Sequence, residues 1–453
     1  MNNQPNKPKI SREQYERIMA KRRAQKIKAA RRKRILTLII AVVIIALVIG
    51  AVIIVKRNLN FKNPDEIFST LESSQSSSAQ HSDSTQDSTE TTQSSQPTQS
   101  NENRISFIAC GDNIIHEGIF RDAQNRAKNG EKYNFKDMYA GVADIISAAD
   151  LSYVVQETPM AGEKYGASGY PSFNTPQEDG DTLVDLGFDI VNIATNHMLD
   201  QGSQGLADSI DFWKTKDITL LGAFTKSDYD NIRTTTKNGI TIAWISYTYS
   251  TNGYTLNSSS NLLIPYIDEG DIVRQAALAS QVGDIVIATM HWGTDSSEVI
   301  TSEQRRVAKL LCDSGVDVIL GSHSHTLQDV EMLTSSDGSH QTLCYYSLGN
   351  LISSMLYYNL MVGGIASFDI VKDENGVRVE NPLVTPIMCQ YEKIDYGNTT
   401  SFPYNLALYV LEKYPAELVE KHGAQIDGAF TYNDLIARAK NAVNSEYLPA
   451  FYK

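Results

Sequence analysis

Cysteine is scarce in this sequence of 453 residues. Its four cysteines stand far apart and in no paired spacing, at Cys110, Cys312, Cys344 and Cys389. Disulfide frameworks and zinc knuckles both need clustered cysteines. The sequence therefore favours a fold held together by its hydrophobic core, with the cysteines mostly as buried thiols.

Charge is absent from residues 35–55, which read ILTLIIAVVIIALVIGAVIIV. A run of about 20 apolar residues matches the thickness of a bilayer's hydrocarbon core. A cleaved signal peptide and a buried core helix are the alternatives, but the run is longer than a typical signal sequence and no small-residue cleavage site follows it. We expect an uncleaved transmembrane helix.

Basic residues are concentrated before this run and sparse after it. Residues 1–34 hold 13 basic and 2 acidic side chains, which leaves the rest of the chain with a net charge near −24. Such asymmetry keeps the basic side in the cytoplasm. We therefore expect residues 1–34 to be cytoplasmic and the C-terminal bulk to be extracellular, on a single-pass anchor in the cell membrane.

The basic cluster is no sign of nucleic-acid binding, because its position beside a membrane span is explained by topology and by contact with anionic lipid. The acidic remainder does not favour loose capture of a polyanion either. An anionic substrate would have to be bound locally, for instance by cations held in a site.

Apolar residues are nearly absent between Ser69 and Ser100, where Ser, Thr, Gln, Asp and Glu dominate. This composition cannot offset the entropy of ordering, so residues 56–103 are predicted to be a disordered stalk.

From Arg104 onward, short apolar runs alternate with longer amphipathic segments, which is typical of an α/β layer fold. The later segments NLALYVLEKYPAELVEKH and YNDLIARAKNAV repeat apolar residues at helical spacing. We predict an α/β domain over residues 104–393 and a helical extension over residues 394–453.

Five of the eight histidines follow predicted strands. In open α/β sheets the loops at the carboxyl ends of strands converge and bind ligands. His81 falls in the stalk, and His340 and His422 look solvated. The candidate functional residues at strand ends are Asp112, His116, Glu157, Asn196, His197, Asp200, His291, His323 and His325.

Imidazole nitrogen mixed with carboxylate and amide oxygen suits Zn, Mn or Fe better than Ca or Mg. The donors are too many for one tetrahedral ion, whereas two divalent ions about 3.5–4 Å apart would use them to activate water against a phosphoryl group. A single His or Asp after a strand is more often a cap or turn residue. That alternative stays open for His116 and for Asp200, which also fits a role in orienting a ligand.

The motifs, in their order, resemble those of the calcineurin-like metallophosphoesterases, and ETP, NHMLD, HWG, GSHSH and YSLGN together resemble the CapA family of poly-γ-glutamate capsule proteins. The resemblance runs from about Arg104 to Ile387. It implies a layered sandwich of β-sheets flanked by helices. It also implies two divalent metal ions (Mn, Fe or Zn) bound by Asp112, Glu157, Asn196, His291, His323 and His325.

The same resemblance makes His197 a general acid or a transition-state contact, with Asp200 as a second catalytic candidate and His116 as a further metal candidate. The sequence departs from the usual pattern at three places. His116 lies four positions after Asp112 rather than two, Val155 stands where relatives commonly have Asn, and Ser324 stands where the family often has Pro. His116 would therefore ligate through a longer loop or contact substrate.

The function implied by the resemblance is a part in synthesis or export of poly-γ-glutamate, within a membrane complex of capsule synthesis and export proteins. On one interpretation, the site hydrolyses an anionic phosphoester. On a second, the same pocket binds carboxylates of the polymer or a partner's loop without turnover, as a scaffold subunit. A third interpretation is an envelope metallohydrolase unrelated to capsule.

Overall fold

The computed structural model describes residues 102–393, 402–426 and 428–453. All of them belong to one compact unit. The predicted cytoplasmic segment, the apolar run at residues 35–55 and nearly all of the predicted stalk lie outside the described residues. Within the described ranges, no helix is long and apolar enough to cross a membrane.

The strands form two large sheets and one small one. They are β1 (Asn103–Asn113), β2 (Leu151–Gln156), β3 (Ile190–Asn192), β4 (Thr219–Leu221), β5 (Phe224–Thr225), β6 (Arg233–Lys237), β7 (Ile240–Thr248), β8 (Leu262–Leu263), β9 (Ile285–His291), β10 (Val318–Ser322), β11 (Val330–Thr334), β12 (Gln341–Tyr345), β13 (Asn350–Ile352), β14 (Val362–Asp373), β15 (Gly376–Lys393) and β16 (Pro403–Val410).

The first sheet has the order β16-β15-β14-β1-β2-β3-β4, with β13 pairing the end of β1. The second has the order β11-β12-β10-β9-β7-β6, and β5 pairs with β8 separately. The helices between and after these strands are α1 (Glu117–Arg126), α2 (Lys136–Ala148), α3 (Gln177–Asp185), α4 (Gly202–Trp213), α5 (Glu269–Ala279), α6 (Ser302–Asp313) and α7 (Tyr432–Ala442).

The two large sheets face each other across an apolar and aromatic interior. The Trp244 ring of β7 lies 6.0 Å from Phe107 of β1 and 6.1 Å from Tyr153 of β2, measured between ring centroids. All three side chains are buried. Because strand side chains alternate between faces, the next residues of β7, Ala243 and Ile245, point the other way and pack in a second core with Ile272 of α5. The predicted α/β arrangement of sheets flanked by helices is thus confirmed.

Both sheets contain consecutive parallel strands that end at one edge. In the first sheet β1, β2 and β3 pair in parallel, and in the second sheet β7, β9, β10 and β12 do so. Parallel strands with helical crossovers bring the loops after each strand to the same side. The candidate functional residues of both sheets therefore collect at this edge.

The predicted helix beginning at NLALYV is wrong, because these residues form β16, an edge strand paired with β15. Its buried residues Leu406, Leu408 and Val410 recur every second position, which is strand periodicity. Two short 3₁₀ turns follow, while YNDLIARAKNAV does form the predicted helix as α7. The extension after residue 394 is therefore part strand and part helix.

Solvation of His422 was also predicted wrongly. Its ring is buried, its Nε2 lies 2.9 Å from the carbonyl oxygen of Cys389, and its Nδ1 accepts a hydrogen bond from the backbone of Ala424. A satisfied histidine can pack in a core where its two ring nitrogens find partners. The four cysteines are free and buried, as predicted.

Candidate metal centre

The metal candidates come from both sheets. Asp112 lies at the end of β1 and Glu157 directly follows β2, whereas His291 ends β9 and His323 follows β10. The whole set of strand-end candidates, apart from His116, is buried. The structure thus brings together residues that are up to about two hundred positions apart in the chain.

Two glycines allow this close approach. A Cβ atom on Gly111 would lie 2.0 Å from the carbonyl oxygen of Gly349, and one on Gly321 would lie 2.0 Å from that of Tyr346. Any side chain at either position would displace a neighbouring backbone segment. The glycines that begin the Gly-Asp and Gly-Ser-His-Ser-His motifs are therefore required by strand packing.

Three buried carboxylate oxygens converge here without hydrogen-bond partners. They are Oδ1 of Asp112 and both oxygens of Glu157, and the buried Nδ1 of His323 is unpartnered as well. An unpaired charge in a protein interior is strongly destabilising unless a counter-charge neutralises it. These atoms fit ligands of a cation.

The spacing of the donor atoms supports the same conclusion. Nδ1 of His325 lies 3.5 Å from Oδ2 of Asp112 and 3.7 Å from Oε2 of Glu157, and Nε2 of His291 lies 4.0 Å from Oε1 of Glu157. One ligand atom from each of Glu157, His323 and His325 falls within 4.8 Å of the others. Two donors that bind one ion at about 2.1 Å lie roughly 3–4 Å apart. Glu157, His323 and His325 could therefore hold a metal ion.

Supporting hydrogen bonds fix the imidazole rings. Nδ1 of His291 lies 2.8 Å from the Ser322 hydroxyl, and its Nε2 lies 2.9 Å from Oδ1 of Asn196. Nδ1 of His325 lies 3.0 Å from Oδ1 of Asn350. In a metal site a partner on one ring nitrogen orients the other nitrogen toward the ion, so these contacts fix the rings, and a bound ion would replace the partner of whichever nitrogen it takes; Asn350 lies where the YSLGN motif ends.

His323 and His325 have positive φ angles of 88° and 58°. Non-glycine residues rarely adopt this conformation, which costs about 1–3 kcal/mol for each residue. The backbone of His323 is held there partly by a hydrogen bond from its N–H to Oδ2 of Asp112, at 2.9 Å. The strain turns both rings of the His-Ser-His segment toward the carboxylates.

His197 and Asp200 form a dyad beside the donors. Nδ1 of His197 lies 2.8 Å from Oδ2 of Asp200, which also accepts a hydrogen bond from the backbone of Phe173. The other ring nitrogen, Nε2, lies 3.9 Å from Oε1 of Glu157. The carboxylate therefore orients the imidazole so that Nε2 faces the candidate metal centre.

His116 lies apart from this cluster. It immediately precedes α1, and its ring packs edge-on against Phe173 at 5.4 Å. No hydrogen bond or ion pair joins it to Asp112 or Glu157; its Nδ1 instead lies 3.5 Å from the backbone nitrogen of Ser354. Desolvation of its half-buried ring and the nearby rings of His325 and His197 lower its pKa to about 3. The structure places His116 at the rim of the site.

Burial and the charges of neighbouring ligand candidates together shift the pKa values at the centre. Burial raises the pKa of the Glu157 carboxyl well above its usual value. Burial opposes protonation of His325, but Glu157 and Asp112 raise its pKa to about 10. Burial and the neighbouring imidazoles lower the pKa values of His291 and His323. Buried carboxylates need positive charge beside them, which either protons or metal ions supply.

Sequence reasoning missed two loops that border the site. Tyr249 and Asn252 follow β7, and Asp295 lies in the segment after β9. Oδ1 of Asn252 lies 3.4 Å from Nδ2 of Asn196, and the Tyr249 ring packs on His323. The position of both loops after parallel strands could have identified them as part of the site. They were missed because they carry few typical ligand residues.

The comparisons with known proteins concern the α/β part of the chain. A family model described as bacterial capsule synthesis protein PGA_cap matches residues 106–355. The PGA biosynthesis protein CapA of Bacillus subtilis (strain 168) is 28% identical over 255 residues, which cover 53% of this chain and 65% of that protein. The capsule biosynthesis protein CapA of Bacillus anthracis is 28% identical over 210 residues, covering 43% and 50%. The match thus spans about half to two thirds of these relatives.

Two solved structures are similar at lower levels. A 5'-nucleotidase precursor from Thermus thermophilus has 13% identity and a TM-score of 0.38, covering 62% of this chain and 55% of its own. The sulfate thiohydrolase SoxB of the same species, in complex with glycerol, has 12% identity and a TM-score of 0.31, covering 64% and 42%. TM-scores of this size do not establish a shared fold.

Proposed function

This chain belongs to the PGA_cap family of bacterial capsule synthesis proteins, whose model spans more than half of it, and we propose that it is a membrane-anchored, metal-dependent phosphoesterase. It acts outside the cell in the synthesis or export of poly-γ-glutamate. The proposed substrate is a phosphoester, or an anionic polymer that carries one, and the proposed partners are the capsule synthesis and export proteins of the same membrane.

The observation that carries the enzymatic part is the set of buried, unpartnered oxygens on Asp112 and Glu157. A merely structural turn would satisfy its carboxylates with backbone N–H groups or basic side chains. In this protein the groups around them are the imidazoles of His291, His323 and His325. Such a mixture of donors suits two ions of Mn, Fe or Zn.

The proposed ligands are Asp112, Glu157, Asn196, His291, His323 and His325, with His116 as a rim residue that contacts substrate. Two divalent ions in such a site would polarise a phosphoryl oxygen and lower the pKa of water. Asn196 turns its Oδ1 toward His291, and Asn350 orients His325. These contacts hold donors from both sheets in a fixed arrangement before substrate binds.

His197 moves the proton in this proposal. Its Nε2 faces the donors while Nδ1 is held by Asp200, so the free nitrogen can protonate the leaving oxygen. Asp200 stabilises the positive charge that the ring carries before that transfer. Asp200 is therefore a positioning residue, which acts on the substrate only through His197.

The proposed location follows from the sequence. The apolar run of residues 35–55 is the anchor, the basic residues before it stay in the cytoplasm, and residues 56–103 separate the site from the bilayer. This arrangement would present the metal centre to polymer leaving the cell. The relatives named for capsule biosynthesis support the same assignment to capsule.

Metal content and hydrolysis, measured together on the full-length protein in detergent, test the proposal. We expect about two ions per chain by elemental analysis, cleavage of a generic phosphoester, and loss of both in the double variant His291→Ala, His323→Ala. The control is His340→Ala, since His340 lies outside the site and contacts the carbonyl oxygen of Val316. Unchanged metal content in the double variant would refute the site. Bound metal without hydrolysis of any phosphoester would favour a polymer-binding scaffold.

Whether the capsule assignment holds is a separate question. Deletion of the gene should abolish surface poly-γ-glutamate, and the double variant should fail to restore it. A deletion strain with normal polymer would instead identify an envelope hydrolase unrelated to capsule.

A further inference from the structure

Two loops form the mouth of the candidate metal centre. The first follows β7 and contains Tyr249 and Asn252, and the second follows β9 and contains Asp295. The loops contact His323, Asn196 and Ser324, so their chemistry bears on which phosphoesters fit beside the candidate ligands.

Tyr249 offers an aromatic surface at this mouth. Its ring centroid lies 4.3 Å from that of His323, its backbone N–H donates to the carbonyl oxygen of His291 at 3.0 Å, and it remains 43% exposed. An exposed tyrosine fixed against a buried ring can pack against a flat or apolar group of a ligand. A bare phosphate group has no part that would use this surface.

Asn252 borders the same opening on the side of the dyad. Its Nδ2 lies 3.5 Å from Nδ1 of His197, and its Oδ1 lies 3.4 Å from Nδ2 of Asn196. The residue is exposed, and its φ is 53°. A neutral amide, and not an arginine or lysine, therefore borders the dyad on this side.

Asp295 puts a negative charge at the mouth. Its neighbour Ser296 donates from its backbone N–H to the carbonyl oxygen of Ser324, at 2.9 Å, which ties this loop between His323 and His325. The exposed carboxylate of Asp295 accepts a hydrogen bond from the Ser296 hydroxyl at 2.6 Å, so it lies in the loop that contacts the His-Ser-His segment.

Basic side chains do not balance this acidity. Among the described residues, no lysine or arginine makes an ion pair or hydrogen bond with Asp112, Glu157, Asp200 or Asp295, whose partners are His, Ser and backbone groups. The nearby Arg438 is tied to Glu298 and to the carbonyl oxygen of Leu327. Most of the positive charge of two divalent ions would be offset by Asp112, Glu157 and Asp295.

We propose that the site is selective for phosphodiesters over phosphomonoesters, with Asp295 repelling a doubly charged phosphate and Tyr249 packing against the second ester group. This inference rests on the phosphoesterase function proposed above. A diester carries one negative charge, whereas a monoester carries close to two at neutral pH. A site with little net positive charge, and with no lysine or arginine paired to its carboxylates among the described residues, loses less by binding the diester.

The reaction consumes one water molecule. The water oxygen bonds to phosphorus and releases one proton to solvent, the bond from phosphorus to one ester oxygen breaks, and that oxygen takes the proton from Nε2 of His197, which solvent then reprotonates. The products are a phosphomonoester and an alcohol. Because the monoester product is more negative than the substrate, Asp295 also favours its release.

The test compares bis(4-nitrophenyl) phosphate with 4-nitrophenyl phosphate on the full-length, Mn²⁺-loaded protein. For the wild type we expect kcat/KM to be at least about tenfold higher for the diester. Asp295→Asn should raise kcat/KM for the monoester about threefold to tenfold, because one nearby negative charge is lost. Its effect on kcat/KM for the diester should be smaller. Tyr249→Ala should raise KM for the diester with little change in metal content, and Tyr249→Phe should lie closer to the wild type.

Calorimetric binding of dimethyl phosphate and inorganic phosphate provides a readout that needs no turnover. We expect Asp295→Asn and Asp295→Lys to tighten binding of inorganic phosphate more than binding of dimethyl phosphate. Glu374→Gln is the matched control, because Glu374 is exposed in the turn at the opposite end of β14 from the site.

The outcomes separate this inference from the proposed function. Preference for the monoester, or equal effects of Asp295→Asn on both ligands, would overturn diester selectivity while leaving a phosphoesterase in place. If metal is bound but neither ester is cleaved, the proposed function fails. The calorimetric comparison then still decides whether Asp295 excludes the more highly charged ligand.

Discussion

Oδ2 of Asp112 accepts a hydrogen bond from the backbone N–H of His323, at 2.9 Å, although 211 positions separate the two residues. Asp112 lies at the end of a strand of the first sheet, and His323 follows a strand of the second. The bond therefore joins the two sheets at the edge where their parallel strands end. Donors from both sheets meet only when the sheets are packed, so metal binding should depend on the whole sandwich and should stabilise it.

Replacement of Glu157 by glutamine should stabilise the metal-free protein and weaken its metal binding. Both carboxylate oxygens of Glu157 are buried without hydrogen-bond partners, and burial raises the pKa of this carboxyl, so its ionisation lowers the stability of the metal-free protein as pH rises; a neutral amide avoids that loss, which is about 1–3 kcal/mol at alkaline pH. Denaturant unfolding in EDTA measures the first effect, and calorimetric titration with Mn²⁺ measures the second. A Glu157→Gln variant that binds Mn²⁺ as tightly as the wild type would exclude Glu157 as a ligand.

Metal affinity should rise with pH. The pKa of Glu157 is raised by burial, and that of His325 is raised to about 10 by Glu157 and Asp112 despite its burial. The metal-free site therefore holds protons at neutral pH, and a metal ion must displace them. Each displaced proton adds about tenfold to the apparent affinity per pH unit. Titrations with Mn²⁺ at pH 6.5 and 7.5 check this, and an affinity that falls with pH would contradict it.

Replacement of Asp200 by asparagine should lower kcat without lowering metal content. The change keeps the size of the side chain but removes the charge that holds Nδ1 of His197, which lies 2.8 Å away. We expect a loss of about 10²–10⁴-fold in kcat, the usual contribution of a proton-transfer group, and a changed pH–rate profile. Asp211→Asn, at an exposed position on helix α4, which begins two residues after Asp200, should leave both unaltered. A normal pH–rate profile in Asp200→Asn would refute the orienting role.

Asp179 should make stability depend on pH beneath the site. Its buried carboxylate accepts hydrogen bonds from Asn113 at 2.8 Å and from Tyr139 at 2.9 Å. Burial raises its pKa to about 7, although both hydrogen bonds oppose the rise. Because the pKa of Asp179 is higher in the folded than in the unfolded protein, its carboxyl stabilises the fold. This stabilisation is fully present below the pKa of the unfolded chain, near 4, and is lost as pH rises through about 7.

The Asp179→Asn variant should lack this dependence. At pH 5 the variant should have a lower free energy of unfolding than the wild type. At pH 8 its free energy of unfolding should equal or exceed that of the wild type. The difference between the two proteins should therefore change by about 3 kcal/mol between these pH values. Denaturant unfolding in EDTA at both pH values measures it. Asp217→Asn, an exposed surface change, is the control, and a constant difference between Asp179→Asn and the wild type would contradict the shift.

Much of the centre could be predicted because it follows a topological rule. His291 and His323 follow apolar segments that are recognisable as strands, and parallel strands end at one edge. The rule does not identify neutral partners, so Tyr249 and Asn252 were missed although they follow β7. The positive φ angle of His323 also lies beyond sequence reasoning, because the hydrogen bond from its backbone to the distant Asp112 helps to hold it.

The errors concern residues whose environment is set at long range. Leu406, Leu408 and Val410 alternate as in a strand, but the following segment contains enough apolar residues at helical spacing to obscure that pattern. Pairing with β15 decided the outcome. His422 looked solvated in the sequence, yet Cys389 and Ala424 supply partners for both ring nitrogens.

The most direct test is anomalous X-ray diffraction at the manganese edge, from crystals of the full-length protein grown with MnCl₂. The account predicts two anomalous peaks about 3.5–4 Å apart, among the side chains of Asp112, Glu157, Asn196, His291, His323 and His325. Peaks elsewhere on the molecule, or no peak between Asp112 and Glu157, would contradict it.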